Sequence, residues 1–305
     1  MNTICNLPYS EVEIDKSGNL VGPFSPGKIA LARNLFVMCH GWNSDMNDAR
    51  ALYENFFNQF CRTLGIWGAP GVSPRDCAVL GVLWPSEKFA DPALTPGGAA
   101  GVGDRLIKLR RLLTYRTMKQ RAGMVGRLAA APILDQVQDA FFDLRVHLVG
   151  HSFGARVVTA AAAVATRPVT SITLLQAAFS QNSFSPEGAF RNVITDRKCA
   201  GPILITHSIH DEALGVCYPI ASRLLRQNSS GLGDANDPYG ALGRNGALHT
   251  PEASFGDLLP EGAPYSFPPG RISNLRADDI IRDHTDIVKP EIAWALIAAA
   301  GIGRT

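Results

Sequence analysis

Six short β-rich runs recur along this chain of 305 residues, most of them separated by longer helical stretches. The runs are "NLFVMCHG" from Asn34, "CAVLGVLWP" from Cys77, "RVHLVG" from Arg145, "SITLLQAA" from Ser171, "PILITHSI" from Pro202 and "RISNLRAD" from Arg271. Several are apolar at nearly every position, so they must be buried on both faces, and only layers packed on either side can cover them. The segments between supply those layers. After the first run, Leu52, Phe56, Phe57, Phe60 and Leu64 fall at helical spacing. "SFGARVVTAAAAVAT", "EALGVCYPIASRLLR" and "PEIAWALIAAAG" read as helices as well. Strands alternating with helices predict an α/β fold, with a mostly parallel central sheet and helices on both faces. A single domain over 1–305 accommodates them. Two insertions interrupt the rhythm. Residues 86–143 are glycine-rich and then basic, and 227–270 read as a long irregular loop; both are expected as pocket wall or lid.

Composition narrows the class. Hydrophobic residues are 46% and charged ones 18%, enough apolar material for a sizeable core. A net charge of +2 gives no case for a nucleic-acid partner. The longest apolar segment, "VVTAAAAVAT" from Val157, is too short to span a bilayer. The first residues lack a basic stretch followed by an apolar one, so a cytoplasmic protein is expected. Six scattered cysteines, with no C-x-x-C pair, are expected as reduced and mostly buried thiols.

The chemistry concentrates at "LVGHSFGAR", residues 148–156. Here G-H-S-F-G sits where a buried strand ends and a small-residue helix begins. That is the setting of a nucleophile elbow, a strained turn that presents Ser152 Oγ at the top of a sheet. Glycines at 150 and 154 let neighbouring backbone approach the crowded turn, and the helix start brings N–H groups towards a developing anion.

On these residues the chain resembles the α/β-hydrolase superfamily, in particular its bacterial esterase- and lipase-like serine hydrolases. The resemblance runs from Asn34 to the C-terminal helix and is weakest over the two insertions. It implies an oxyanion-hole segment, for which "VMCHGWNSD" supplies His40, Gly41 and Trp42. The donors would be the backbone N–H groups of Trp42 and Phe153, with Gly41 allowing close approach of the substrate oxygen. It implies an acid beyond a late strand. Asp211 fits that place, whereas Asp234, Asp237 and Asp257 fall in the irregular loop. It implies a histidine further on, for which His284, between the last strand and the last helix, is preferred to His249. The order Ser152, Asp211, His284 matches that of the superfamily.

The function expected is hydrolysis of carboxylic acyl esters through a Ser-His-Asp triad and an acyl-enzyme, with no cofactor and no metal. The substrate would be a small ester with an apolar group, since Trp42, Trp84 and Phe153 are placed at the pocket mouth. Another acyl bond (thioester, amide or phospholipid ester) or a non-catalytic binding protein of the same fold are the alternatives. His207 and His210, three apart on a strand, point to opposite faces and do not converge on a metal. The basic stretch 104–121 reads as a helix with a solvated face in preference to a membrane surface. Arg156, a cation in the first turn of a helix, is expected to pair with a carboxylate such as Asp45 or Asp286.

Overall fold

The computed structural model describes residues 3–29, 32–41, 45–86, 117–217 and 239–304. Among the described residues nine strands form one sheet, in the order β1-β2-β4-β3-β5-β6-β7-β9-β8. They are β1 (Thr3–Ile4), β2 (Leu7–Glu13), β3 (Asn34–Cys39), β4 (Cys77–Leu83), β5 (Arg145–His151), β6 (Ser171–Leu175), β7 (Ile203–His207), β8 (Ala253–Asp257) and β9 (Ile272–Arg276). All neighbouring pairs are parallel except the β1–β2 hairpin at one edge. The six β-rich runs of the sequence are β3, β4, β5, β6, β7 and β9, which include the centre of the sheet.

Alternation along the central strands divides the interior in two. In β3, Leu35, Val37 and Cys39 face one core, while Phe36 and Met38 face the other. The first core is closed by α2 (Ala131–Ala140) and α3 (Phe153–Val164). A helical run through 117–125 and a π-helical turn, Gly126–Ala130, leads into α2. The second core is closed by α1 (Met46–Trp67) and α6 (Pro290–Ala299), with Phe57 and Phe60 of α1 packed on Phe36 and Phe56 on Phe57. Two short helices, α4 (Arg191–Thr195) and α5 (Leu242–Asn245), lie in the connections. Asp45 starts α1 by accepting from the backbone N–H of Asn47 and Asp48, and Asp48 returns the bond to Asp45 N–H.

Two expectations need correction. Residues 227–270 are not an irregular loop throughout: they hold α5 and the edge strand β8, paired with β9. β8 ("ASFGD") is mostly exposed and has a glycine inside it, so it lacks the apolar run that marks a buried strand. The edge hairpin of β1 and β2 likewise has no continuous apolar run to mark it in the sequence. Most consequentially, Cys5 and Cys61 form a disulfide, whereas Cys39, Cys77 and Cys199 are buried thiols as expected. The bond links the β1–β2 turn to α1, positions 56 apart in sequence, which spacing alone does not pair. Of the first insertion, 87–116 lie outside the described residues, and 117–140 are a helix packed on α3. Among the described residues no helix is long and apolar enough to cross a membrane.

Candidate active site

β5 runs up the middle of the sheet and ends at His151; α3 starts at Phe153, leaving Ser152 alone at the turn. Its backbone has φ +56 and ψ −121, a left-handed conformation that costs a non-glycine residue about 1–3 kcal/mol. The glycines on either side permit it by absence of bulk. A Cβ on Gly154 would lie 2.1 Å from the carbonyl oxygen of Cys39, and one on Gly150 would lie 2.4 Å from Ala155 Cα. The chain is clamped there too: Ser152 N–H donates to Leu175 O at 3.0 Å, and Ala178 N–H donates to Ser152 O at 3.0 Å.

Two distant loops converge on this turn. The β9–α6 connection brings His284, whose Nε2 lies 2.8 Å from Ser152 Oγ. The segment after β7 brings Asp211, whose Oδ2 lies 2.7 Å from His284 Nδ1. Asp211 is fully buried and also accepts from Leu214 N–H through Oδ1 at 3.0 Å. An acceptor-only carboxylate on Nδ1 requires the proton there, leaving the Nε2 lone pair facing the serine hydroxyl. The three residues picked from sequence order thus meet in one hydrogen-bonded line.

The His-Gly turn after β3 forms the opposite wall. A Cβ on Gly41 would sit 2.6 Å from Ser152 Cβ and 3.2 Å from its Oγ, so no larger residue fits. His40 is buried and holds this turn: its Nε2 accepts from Trp84 N–H at 3.2 Å, and its Nδ1–H donates to Gly41 O at 2.9 Å. Burial pulls its pKa down to about 4, which keeps the imidazole neutral. Trp42 lies outside the described residues. Phe153 is buried at the start of α3. Trp84 departs from its expected place at a pocket mouth. It is fully buried, stacked on His40, and its indole N–H donates to His40 O at 3.0 Å. An amphipathic ring with a carbonyl in reach is held in the core by that bond.

The sequence family matching residues 34–196 is that of the α/β hydrolase fold, and it covers more than half of the chain. The chain belongs to this α/β-hydrolase family. No curated protein matches its sequence. Among solved structures it is similar to esterase PE8, at 15% identity over 89% of this chain and 93% of that one, with a TM-score of 0.38. It is also similar to TT1662 from Thermus thermophilus, at 16% identity over 90% and 91%, with a TM-score of 0.41. A third is LpqC, a poly(3-hydroxybutyrate) depolymerase from Bordetella parapertussis, at 15% identity over 90% and 81%, with a TM-score of 0.42. At such values the family assignment rests on the sequence match alone.

Other candidate residues of this α/β hydrolase lie elsewhere. Asp257 pairs with Arg276 between β8 and β9, and His249 is exposed in a turn with φ +51. Asp234 and Asp237 lie outside the described residues. Arg156 donates from Nε to Lys119 O at 3.0 Å and lies over the Phe190 ring. Asp286 pairs with Lys289. Two residues at the site were not singled out from sequence. His151 donates from Nε2 to His284 O at 2.8 Å. Gln176 donates to Asp211 at 3.1 Å; its one sequence signal is a polar residue just past the end of an apolar strand.

Proposed function

We propose that this α/β hydrolase is a serine hydrolase that cleaves carboxylic acyl esters through Ser152, His284 and Asp211. The observation that carries the reading is the hydrogen-bonded line Ser152 Oγ–His284–Asp211, at 2.8 and 2.7 Å, on a serine in a strained turn. His284 Nε2 takes the hydroxyl proton as Oγ attacks the acyl carbonyl, then returns it to the departing alcohol. Asp211 fixes the tautomer and stabilises the imidazolium. Water, deprotonated by His284, then releases the acid. The oxyanion donors we assign are the backbone N–H of Phe153, at the positive end of α3, and that of Trp42. An assembled line of three favours catalysis over a binding protein that keeps the elbow as structure.

A neutral substrate fits the surroundings. Gly41, His151, Phe153 and Ala178 adjoin Ser152 and carry no charge at neutral pH, His151 because burial pulls its pKa down to about 3. We assign a neutral ester as the substrate and no cofactor. The Cys5–Cys61 disulfide supports an oxidising compartment over the cytoplasm as the place of work. The test is hydrolysis of p-nitrophenyl esters of increasing acyl length. Turnover with an initial burst that is lost in Ser152→Ala is expected. Folded protein that turns over none of the series, with or without Ser152, contradicts the reading.

A further inference from the structure

Gln176 follows β6 directly and is fully buried, with φ +44, a left-handed conformation that a non-glycine residue adopts at a cost. Every polar atom of its amide is engaged. Nε2 donates to Asp211 Oδ2 at 3.1 Å and to Gly243 O at 3.0 Å. Thr206 Oγ1 donates to Oε1 at 3.0 Å and accepts from Gln176 N–H at 3.3 Å. A carboxylate and a backbone carbonyl only accept, so the NH2 group must face them. Thr206, on β7, then completes the other side. The amide therefore has one orientation, and it points a fixed donor at the same carboxylate oxygen that receives His284 Nδ1–H.

We propose that Gln176 is a positioning residue for the Ser152–His284–Asp211 array, acting through Asp211. The proposal rests on the catalytic reading of that array. Asp211 Oδ2 takes two donors, one from His284 and one from Gln176, while Oδ1 is held by Leu214 N–H. Gln176 and Leu214 thus each hold one oxygen of the carboxylate and fix its rotation. Gln176 also shares the negative charge. Removing the amide donor leaves the carboxylate free to turn, and with it the imidazole that it orients.

The experiment is the pH dependence of the rate at which a fluorophosphonate labels Ser152 in wild type, Gln176→Met and Thr206→Val. Methionine keeps the length of the side chain and removes the donor. Gln176→Met is expected to label about tenfold or more slowly, the loss of a hydrogen bond to a charged group. The midpoint of its acid limb is expected to move as well, since the donor bears on the carboxylate that orients the imidazole. Thr206→Val removes only the hydroxyl that orients the amide, and shifts both quantities in the same direction by less. A folded Gln176→Met with wild-type rate and midpoint overturns the proposal. So does a slower rate with an unmoved midpoint, which would mean packing alone. If Gln176→Met does not fold, Thr206→Val decides by the same two readings. Wild-type protein that fails to label overturns the catalytic reading itself, and the proposal with it, so the two failures are distinguishable.

Discussion

His151 Nε2 donates to the backbone carbonyl of His284 at 2.8 Å, so the residue before Ser152 holds the loop that carries Ser152's partner. The bond joins the end of β5 to the β9–α6 connection, segments more than a hundred residues apart. Burial, reinforced by the nearby His284 ring, pulls the His151 pKa down to about 3. A neutral imidazole has one N–H, and here the carbonyl takes it.

His151→Phe keeps a ring of similar size and removes that donor. The substitution leaves a buried carbonyl without its partner, at a cost of about 1–3 kcal/mol. Labelling of Ser152 by a fluorophosphonate is expected to slow by roughly tenfold if a comparable part of that loss falls on the geometry. A labelling time course identical to wild type would mean that the loop holds His284 unaided.

Gly154→Ala and Gly65→Ala should differ in sign. A Cβ at 154 meets the Cys39 carbonyl oxygen at 2.1 Å, so backbone must move, and about 3 kcal/mol or more of stability is expected to be lost. Gly65 lies exposed within α1, with open space around the added methyl. Alanine there gains up to about 1 kcal/mol through helix propensity and a more restricted unfolded chain. Urea melts of the two variants check both signs.

Acid should destabilise the fold through four buried histidines. Burial lowers the pKa of His40 and His207 from 6.5 to about 4, and that of His147 and His151 to about 3. Each therefore binds its proton more readily unfolded than folded. Stability is full above about pH 6.5 and falls as pH drops from there towards 3–4. At pH 5 each costs up to about 2 kcal/mol. Thermal melts should show Tm falling by roughly 10 °C or more between pH 7 and pH 5. A flat Tm over that range would mean these imidazoles are hydrated or already charged.

The Cys5–Cys61 bond ties the edge hairpin to α1 across 56 positions. Closing a loop of that length contributes about 2–4 kcal/mol, mainly by restricting the unfolded chain. Cys5→Ser with Cys61→Ser is expected to lower stability by that amount and leave labelling of Ser152 unchanged. Peptide mapping without reductant should recover the two cysteines joined.

What could be read from the sequence follows from where its signals are strong. The central strands announce themselves because burial on both faces leaves few polar residues, and Ser152 because only a pair of glycines tolerates its neighbours. Asp211 and His284 follow from the resemblance to the superfamily, whose order of serine, acid and histidine the strand assignments make usable. β8 was not found, since an exposed edge strand needs no apolar run. Gln176 and His151 carry little signal in the sequence because their roles lie in partners 35 and 133 positions away. Trp84 was misplaced because an aromatic residue near a strand end reads the same in sequence whether its ring faces a cavity or closes a core.

The most direct test of the central claim is labelling of the purified protein with a fluorophosphonate, beside Ser152→Ala and His284→Ala. Wild type is expected to label, Ser152→Ala not at all, and His284→Ala far more slowly, because the hydroxyl needs the imidazole to become a nucleophile. Folded wild type that stays unlabelled, or that labels equally without Ser152, would contradict the account.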